Sequence, residues 1–229
     1  MLAFAGCDNP AGGNGGGATS WITGPGLWNA DTQTNTGVSI AGDNALSSII
    51  IHANSNQNTP LILAVGGVDV TGTSPAAMTG ANLTIVGFGA GQRTVSFHGS
   101  TNRDAPLFQV GSNARLTLGS GIRIIGGPGG HNAALIRVND GGTFIMESGS
   151  TISGFRRSSS GSDLAAVVVN SGGVFTMNSG ATITGNEAFG TTQLRVGGVF
   201  VADTGTFTRN GNVTGNTPAN VRRGGTIED

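Results

Sequence analysis

Charge is the first thing this chain lacks. Acidic and basic residues together make up 10% of its 229 residues, against about 25% in an average globular protein. Long exposed helices draw on Glu, Lys and Arg, so the shortage argues against a helical protein. Basic residues number 11 and acidic residues 12, which leaves no cationic surplus for phosphate binding and excludes nucleic acid as a natural partner. A single cysteine, Cys7, excludes an internal disulfide and a Cys-rich zinc site. No run approaches the ~18 apolar residues of a membrane-spanning helix.

What is present is glycine, 42 copies without the strict three-residue period of collagen, among many Thr, Ser, Asn and Val. That composition favours short strands joined by tight turns. The chain also repeats itself. VNDGGTFIMESGSTISG (138–154) aligns without a gap to VNSGGVFTMNSGATITG (169–185), and both align to VGSNARLTLGSGIRIIG (110–126). A fourth copy, VADTGTFTRNGNVTGN (201–216), is two residues shorter between Phe207 and Val213. The leading valines Val110, Val138, Val169 and Val201 are 28, 31 and 32 residues apart.

Within each copy the apolar residues alternate, as in Leu116 and Leu118, Phe144 and Met146, or Phe175 and Met177. Period two marks a strand with one buried face. The amphipathic 12-residue runs of helical repeats are missing, and propeller blades need longer units. The pattern fits one coil of a parallel β-helix, an all-β solenoid in which equivalent residues of successive coils stack about 4.8 Å apart. Leu116, Phe144, Phe175 and Phe207 then form one interior column, and Ile124, Ile152, Ile183 and Val213 another. Residues 60–70, 82–91 and 93–99 read as earlier, less regular rungs. Leu46, Ile49, Ile50 and Ala53 in DNALSSIIIHAN (43–54) fall at helical spacing. They predict a short helix, with Asp43 or Asn44 as its cap, that covers the open first rung. The alternative is one more strand through residues 48–51.

The steps between copies exceed a minimal coil, so three loops must protrude: 128–134, 155–166 and 187–198. All three fall between the end of one motif and the next leading valine, and therefore at one corner. Loops gathered on a rigid scaffold are where binding usually resides. The candidate contact residues there are His131, Asn132, Arg156, Arg157, Asp163, Gln193 and Arg195.

Residues 8–19 (DNPAGGNGGGAT) have the composition of a flexible linker. LAFAGC, just before them, resembles the end of a bacterial lipoprotein signal, the lipobox. That resemblance implies cleavage before Cys7 and its lipidation, dividing the chain into a signal remnant and linker (1–20) and a β-helix domain (21–229). The phrases GGTFIMESGSTISG and GGVFTMNSGATITGN resemble right-handed parallel β-helix surface proteins, in particular the glycine-rich lipoproteins of spirochaetes. This likeness, extending loosely over 38–221, implies a cell-envelope protein lipid-anchored at the outer membrane or cell surface. Its role would be adhesin-like or structural, with a host-matrix protein or glycan as partner.

The fold also houses polysaccharide lyases and hydrolases, so a carbohydrate-active enzyme is the alternative. It needs clustered carboxylates. Asp140 and Asp203 occupy matching rung positions, but Ser171 stands between them and Asn113 lies in the turn before, which is turn chemistry. His52, His98 and His131 share no metal-ligand spacing, GFGAGQ (87–92) lacks a phosphate-binding lysine, and the calcium-binding nonapeptide is missing. The reading is therefore non-catalytic, without metal or cofactor. Thr151, Ser153, Thr182, Thr184, Asn212 and Thr214 flank the interior Ile column and should face outward. Such Thr arrays resemble ice-binding solenoids, a minor alternative.

Overall fold

The computed structural model describes residues 20–67, 69–72, 77–97, 104–126, 130–157, 165–188, 196–224 and 226–228. Over these the chain is a β-solenoid of stacked parallel coils. Each coil contributes one strand to each of three sheets. The first sheet runs through Pro60–Val65, Asn82–Gly87, Arg115–Leu118, Thr143–Met146, Val174–Met177 and Thr206–Arg209. In the second lie Val70–Gly72, Arg93–Phe97, Ile122–Ile125, Thr151–Ser153, Thr182–Thr184 and Asn212–Thr214. Ala77–Met78, Phe108–Val110, Ile136–Val138, Val167–Val169, Val199–Val201 and Val221–Arg223 build the third. The segments upstream of residue 100 are two coils and not three rungs, since Asn82–Gly87 and Arg93–Phe97 are two sides of one coil and Pro60–Val65 begins the coil before it.

The register follows the repeat alignment. Leu116, Phe144, Phe175 and Phe207 are direct partners in successive first-sheet strands. Ile124, Ile152, Ile183 and Val213 are partners in the second sheet. All eight side chains are buried, and they belong to one continuous core. The phenylalanines stack face to face. Phe144 and Phe175 have ring centroids 4.8 Å apart, and Phe175 and Phe207 are 4.7 Å apart. Parallel in-register strands impose that spacing, because identical side chains must sit one strand separation apart. Turns stack too. The Gly141 and Gly172 positions have φ of 69° and 74°, and Asn113 occupies the same place in the rung before with φ of 56°. Their backbones form a ladder, Asn113 N to Gly141 O and Gly141 N to Gly172 O. Only glycine or asparagine adopts this left-handed conformation cheaply.

At the N-terminal end a helix, Ala45–Ser55, buries Ala45, Leu46, Ile49, Ile50 and Ala53, the stripe expected from its spacing. Asn44 holds the N-cap position, but its side chain makes no capping hydrogen bond. Leu46 packs against Gly72 of the second sheet, where any larger residue would press on its Cβ. Strand Gly26–Asn29 extends the first sheet by pairing antiparallel with Pro60–Val65, and Thr34–Asn35 pairs antiparallel on its outer side. At the C-terminal end two interior columns finish in arginine. Arg209 follows Leu118, Met146 and Met177, and Arg223 follows Val110, Val138, Val169 and Val201. Arg223 Nη2 donates to Phe207 O at 2.7 Å, with its guanidinium carbon 5.5 Å from the Phe207 ring centroid. Arg209 Nη2 donates to Val213 O at 3.3 Å. The last coil thus offers polar groups where every earlier coil offers apolar ones, as a terminal repeat must.

Candidate functional site

The corner after the second sheet is where the insertions leave the solenoid. There the structure adds a fourth, two-stranded parallel sheet: Arg156–Arg157 pairs with Glu187–Ala188. Isolated bridges extend it in both directions, from His131 to Arg157 and from Glu187 to Thr217. The departing ends of the three loops are therefore stacked on one another. His131 N donates to Arg156 O at 2.7 Å, Glu187 N to Phe155 O at 2.7 Å, and Ala188 N to Thr217 O at 2.8 Å.

The returning ends are clamped in the same way. Leu135 N donates to Ala166 O at 2.9 Å, Ala166 N to Gly197 O at 3.1 Å, and Gly197 N to Ala219 O at 3.0 Å. Ala134, Ala165, Val196 and Ala219 gather around Val168, which points away from the core, in a separate apolar cluster outside the third sheet. The scaffold thus fixes where each insertion begins and ends, and all begin at one corner.

Side chains reinforce the stems. Phe155 N donates to Asn186 Oδ1 at 3.0 Å, Asn186 Nδ2 to Asn216 Oδ1 at 2.8 Å, and Asn216 Nδ2 to Asn220 Oδ1 at 3.0 Å. Asn186 and Asn216 are both buried, so each amide supplies donors and acceptors to backbone that water does not reach. Arg156 Nε meets Glu187 Oε2 at 3.1 Å, with the two side chains 60% and 39% exposed. A pair so exposed contributes little to stability. It presents opposite charges at the rim of the corner.

The expected contact residues divide. Arg156 is exposed at the rim, and Asn132 donates from Nδ2 to Asp104 Oδ1. His131 and Arg157 are corrected: His131 is fully buried and Arg157 is 6% exposed, so both are stem residues and not contact surface. Loop 155–166 is likewise narrower than its sequence bounds, since Phe155, Ala165 and Ala166 are buried. Asp163, Gln193, Arg195 and Cys7 lie outside the described residues, as does His98. Glu187, not among the expected contact residues, joins the site through its pairing with Arg156.

Elsewhere, the Asp140 and Asp203 carboxylates lie over Gly172 and Gly224, in the space a Cβ would need, which agrees with turn chemistry. Among the described residues no three His, Cys, Asp or Glu side chains converge to hold a metal ion, and no helix is long and apolar enough to cross a membrane. The residues flanking the Ile column do align in outward rows, Arg123–Thr151–Thr182–Asn212 and Ile125–Ser153–Thr184–Thr214. The array is irregular: Arg123 Nε donates to Ser153 Oγ at 2.8 Å, and Ser153 is buried. Neither a protein-family model, nor a curated protein, nor a solved structure matches this chain.

Proposed function

We propose that this chain is a bacterial cell-envelope lipoprotein of the glycine-rich β-helix type. In this reading a lipid on Cys7 tethers it, residues 8–19 act as spacer, and the solenoid displays a non-catalytic binding surface. One observation carries the proposal: three insertions of unrelated sequence leave the scaffold at one corner, clamped at both ends by bonds between coils. A purely structural coil gains nothing from insertions that differ in length and sequence while their stems are held so regularly. Loops on a rigid frame carry recognition because their positions are fixed without ordering the whole surface at the moment of binding.

The partner class expected is a glycan or a host-matrix protein, met through residues 130, 132, 156, 187 and the segments 158–164 and 189–195. The test is a binding screen of residues 21–229 against glycan and matrix-protein arrays. It is run beside a variant in which 158–164 is replaced by a short Gly-Ser turn, leaving the buried stem intact. Specific capture that disappears in the variant supports the reading. Absence of any captured ligand at high protein concentration, or capture indifferent to the loop, overturns it.

A further inference from the structure

The chain enters the solenoid on one side. On the outer face of the first sheet Ile22, Trp28, Ile62, Ala64 and Val86 form an apolar cluster of their own, and Trp21 and Phe88 pack half-buried against it. The two tryptophans meet edge to face with ring centroids 5.9 Å apart, and Trp28 Nε1 donates to Gly24 O at 3.1 Å. Residues 21–28 are thereby pinned to this face at its N-terminal edge, and the chain leads back toward Cys7 from there. Each coil runs from the first sheet to the second, through the corner of the insertions, to the third. In such a three-sided coil that corner lies across the core from the first sheet, and packed sheets stand ~10 Å apart. Entry point and insertions are on opposite sides of the solenoid.

We infer that the outer face of the first sheet lies against the lipid surface, so that the insertion corner points away from the membrane. The inference rests on the reading of Cys7 as a lipidated residue. Twelve residues, 8–19, separate Cys7 from the described chain, and a Gly-rich chain of that length spans about 17–21 Å on average. A lipid on Cys7 holds the first-sheet side within that reach of the bilayer and leaves the insertions farther out by the thickness of the core. The chemistry of the face agrees. One outward column begins at Trp28 and Ile62 and runs through Thr84, Thr117, Ile145 and Thr176 without a charged residue. The column beside it, Asn82 to Thr206, holds Arg115 as its one charge. Asp140, Glu147 and Asp203 stand in the turns at the margins, and Asp31 in the hairpin at the N-terminal edge. Strands that carry no carboxylate meet anionic lipid without repulsion. Tryptophan favours the membrane–water interface, where its ring is apolar and its N–H finds a partner.

Trp21 and Trp28 are the only tryptophans in the chain, so emission from the wild type reads this face without substitution. The full-length lipidated protein is carried on vesicles of phosphatidylethanolamine and phosphatidylglycerol, with and without lipid bearing a nitroxide on its headgroup. Tryptophan emission should be lost as the nitroxide lipid increases, while a fluorophore on Arg156→Cys, at the exposed rim of the corner, keeps its emission. Tryptophan quenched no more than the corner label, in vesicles that carry the protein, overturns the inference and leaves the anchor standing. A protein that does not float with the vesicles removes the anchor, and the inference with it. Should Arg156→Cys not fold, the wild type decides alone: unquenched tryptophan on floated vesicles overturns the inference, and quenched tryptophan supports it.

Discussion

Phe175→Ala is the most informative single perturbation of the scaffold. Phe175 is fully buried and sits between two stacked neighbours, Phe144 at 4.8 Å and Phe207 at 4.7 Å. Truncating a buried phenylalanine costs about 3–5 kcal/mol through lost transfer free energy and the cavity left behind. Parallel in-register strands cannot slide to fill that cavity without breaking the ladders above and below, so the cost should fall at about 4–5 kcal/mol. Phe175→Leu separates the two contributions. It keeps most of the buried area and loses both ring contacts, each worth about 0.5–1.5 kcal/mol, for a total of about 1–3 kcal/mol. Phe207→Leu, at the end of the column, loses one stacked ring and the Arg223 guanidinium contact on its other face, each worth about 0.5–1.5 kcal/mol.

The assay is urea unfolding followed by far-UV circular dichroism, with the midpoint and slope compared across the three variants. Solenoid coils interact mainly with their neighbours. A Phe175→Ala transition that splits into two steps would therefore still agree with the stacked register. A loss under about 1 kcal/mol for Phe175→Ala would refute the column.

Three further outcomes are expected. Asn186→Ala strips the Phe155 amide of its acceptor in a buried corner. An unsatisfied buried group costs about 1–3 kcal/mol, so chemical denaturation should show at least that loss, and faster exchange at the residue-155 amide should accompany it. Arg209→Leu with Arg223→Leu extends both apolar columns to the open C-terminal end; analytical ultracentrifugation should then show association at concentrations where the parent shows less. Cys7→Ala in the full-length precursor should move the protein from the membrane fraction to the soluble fraction, and unchanged partitioning would remove the anchor from the account.

The repeated parts of this structure were legible in the sequence because period and identity agreed. Phe144 and Phe175, or Ile152 and Ile183, recur at a gapless offset, and a parallel ladder turns that offset directly into vertical neighbours. The helix stripe was legible for the same kind of reason, through Leu46, Ile49, Ile50 and Ala53. The common corner of the insertions followed from where they interrupt the motif. What holds that corner did not. Arg156–Arg157 and Glu187–Ala188 are too short to show any period, and two charged residues are a poor advertisement for a strand. His131 looked like a loop histidine because its burial arises against the Phe97 and Phe155 rings, which lie far from it in the sequence. Arg209 and Arg223 became end residues of the core only once the register placed them above Met177 and Val201.

The claim that recognition lies in the insertions and stability in the coils is tested most directly by separating them. Segments 158–164 and 189–195 are both replaced by short Gly-Ser turns, and urea midpoint and ligand capture are measured on the same preparation. The account predicts a midpoint close to that of the parent and capture lost. Capture retained on the stripped solenoid would contradict it and place the binding surface on the coils.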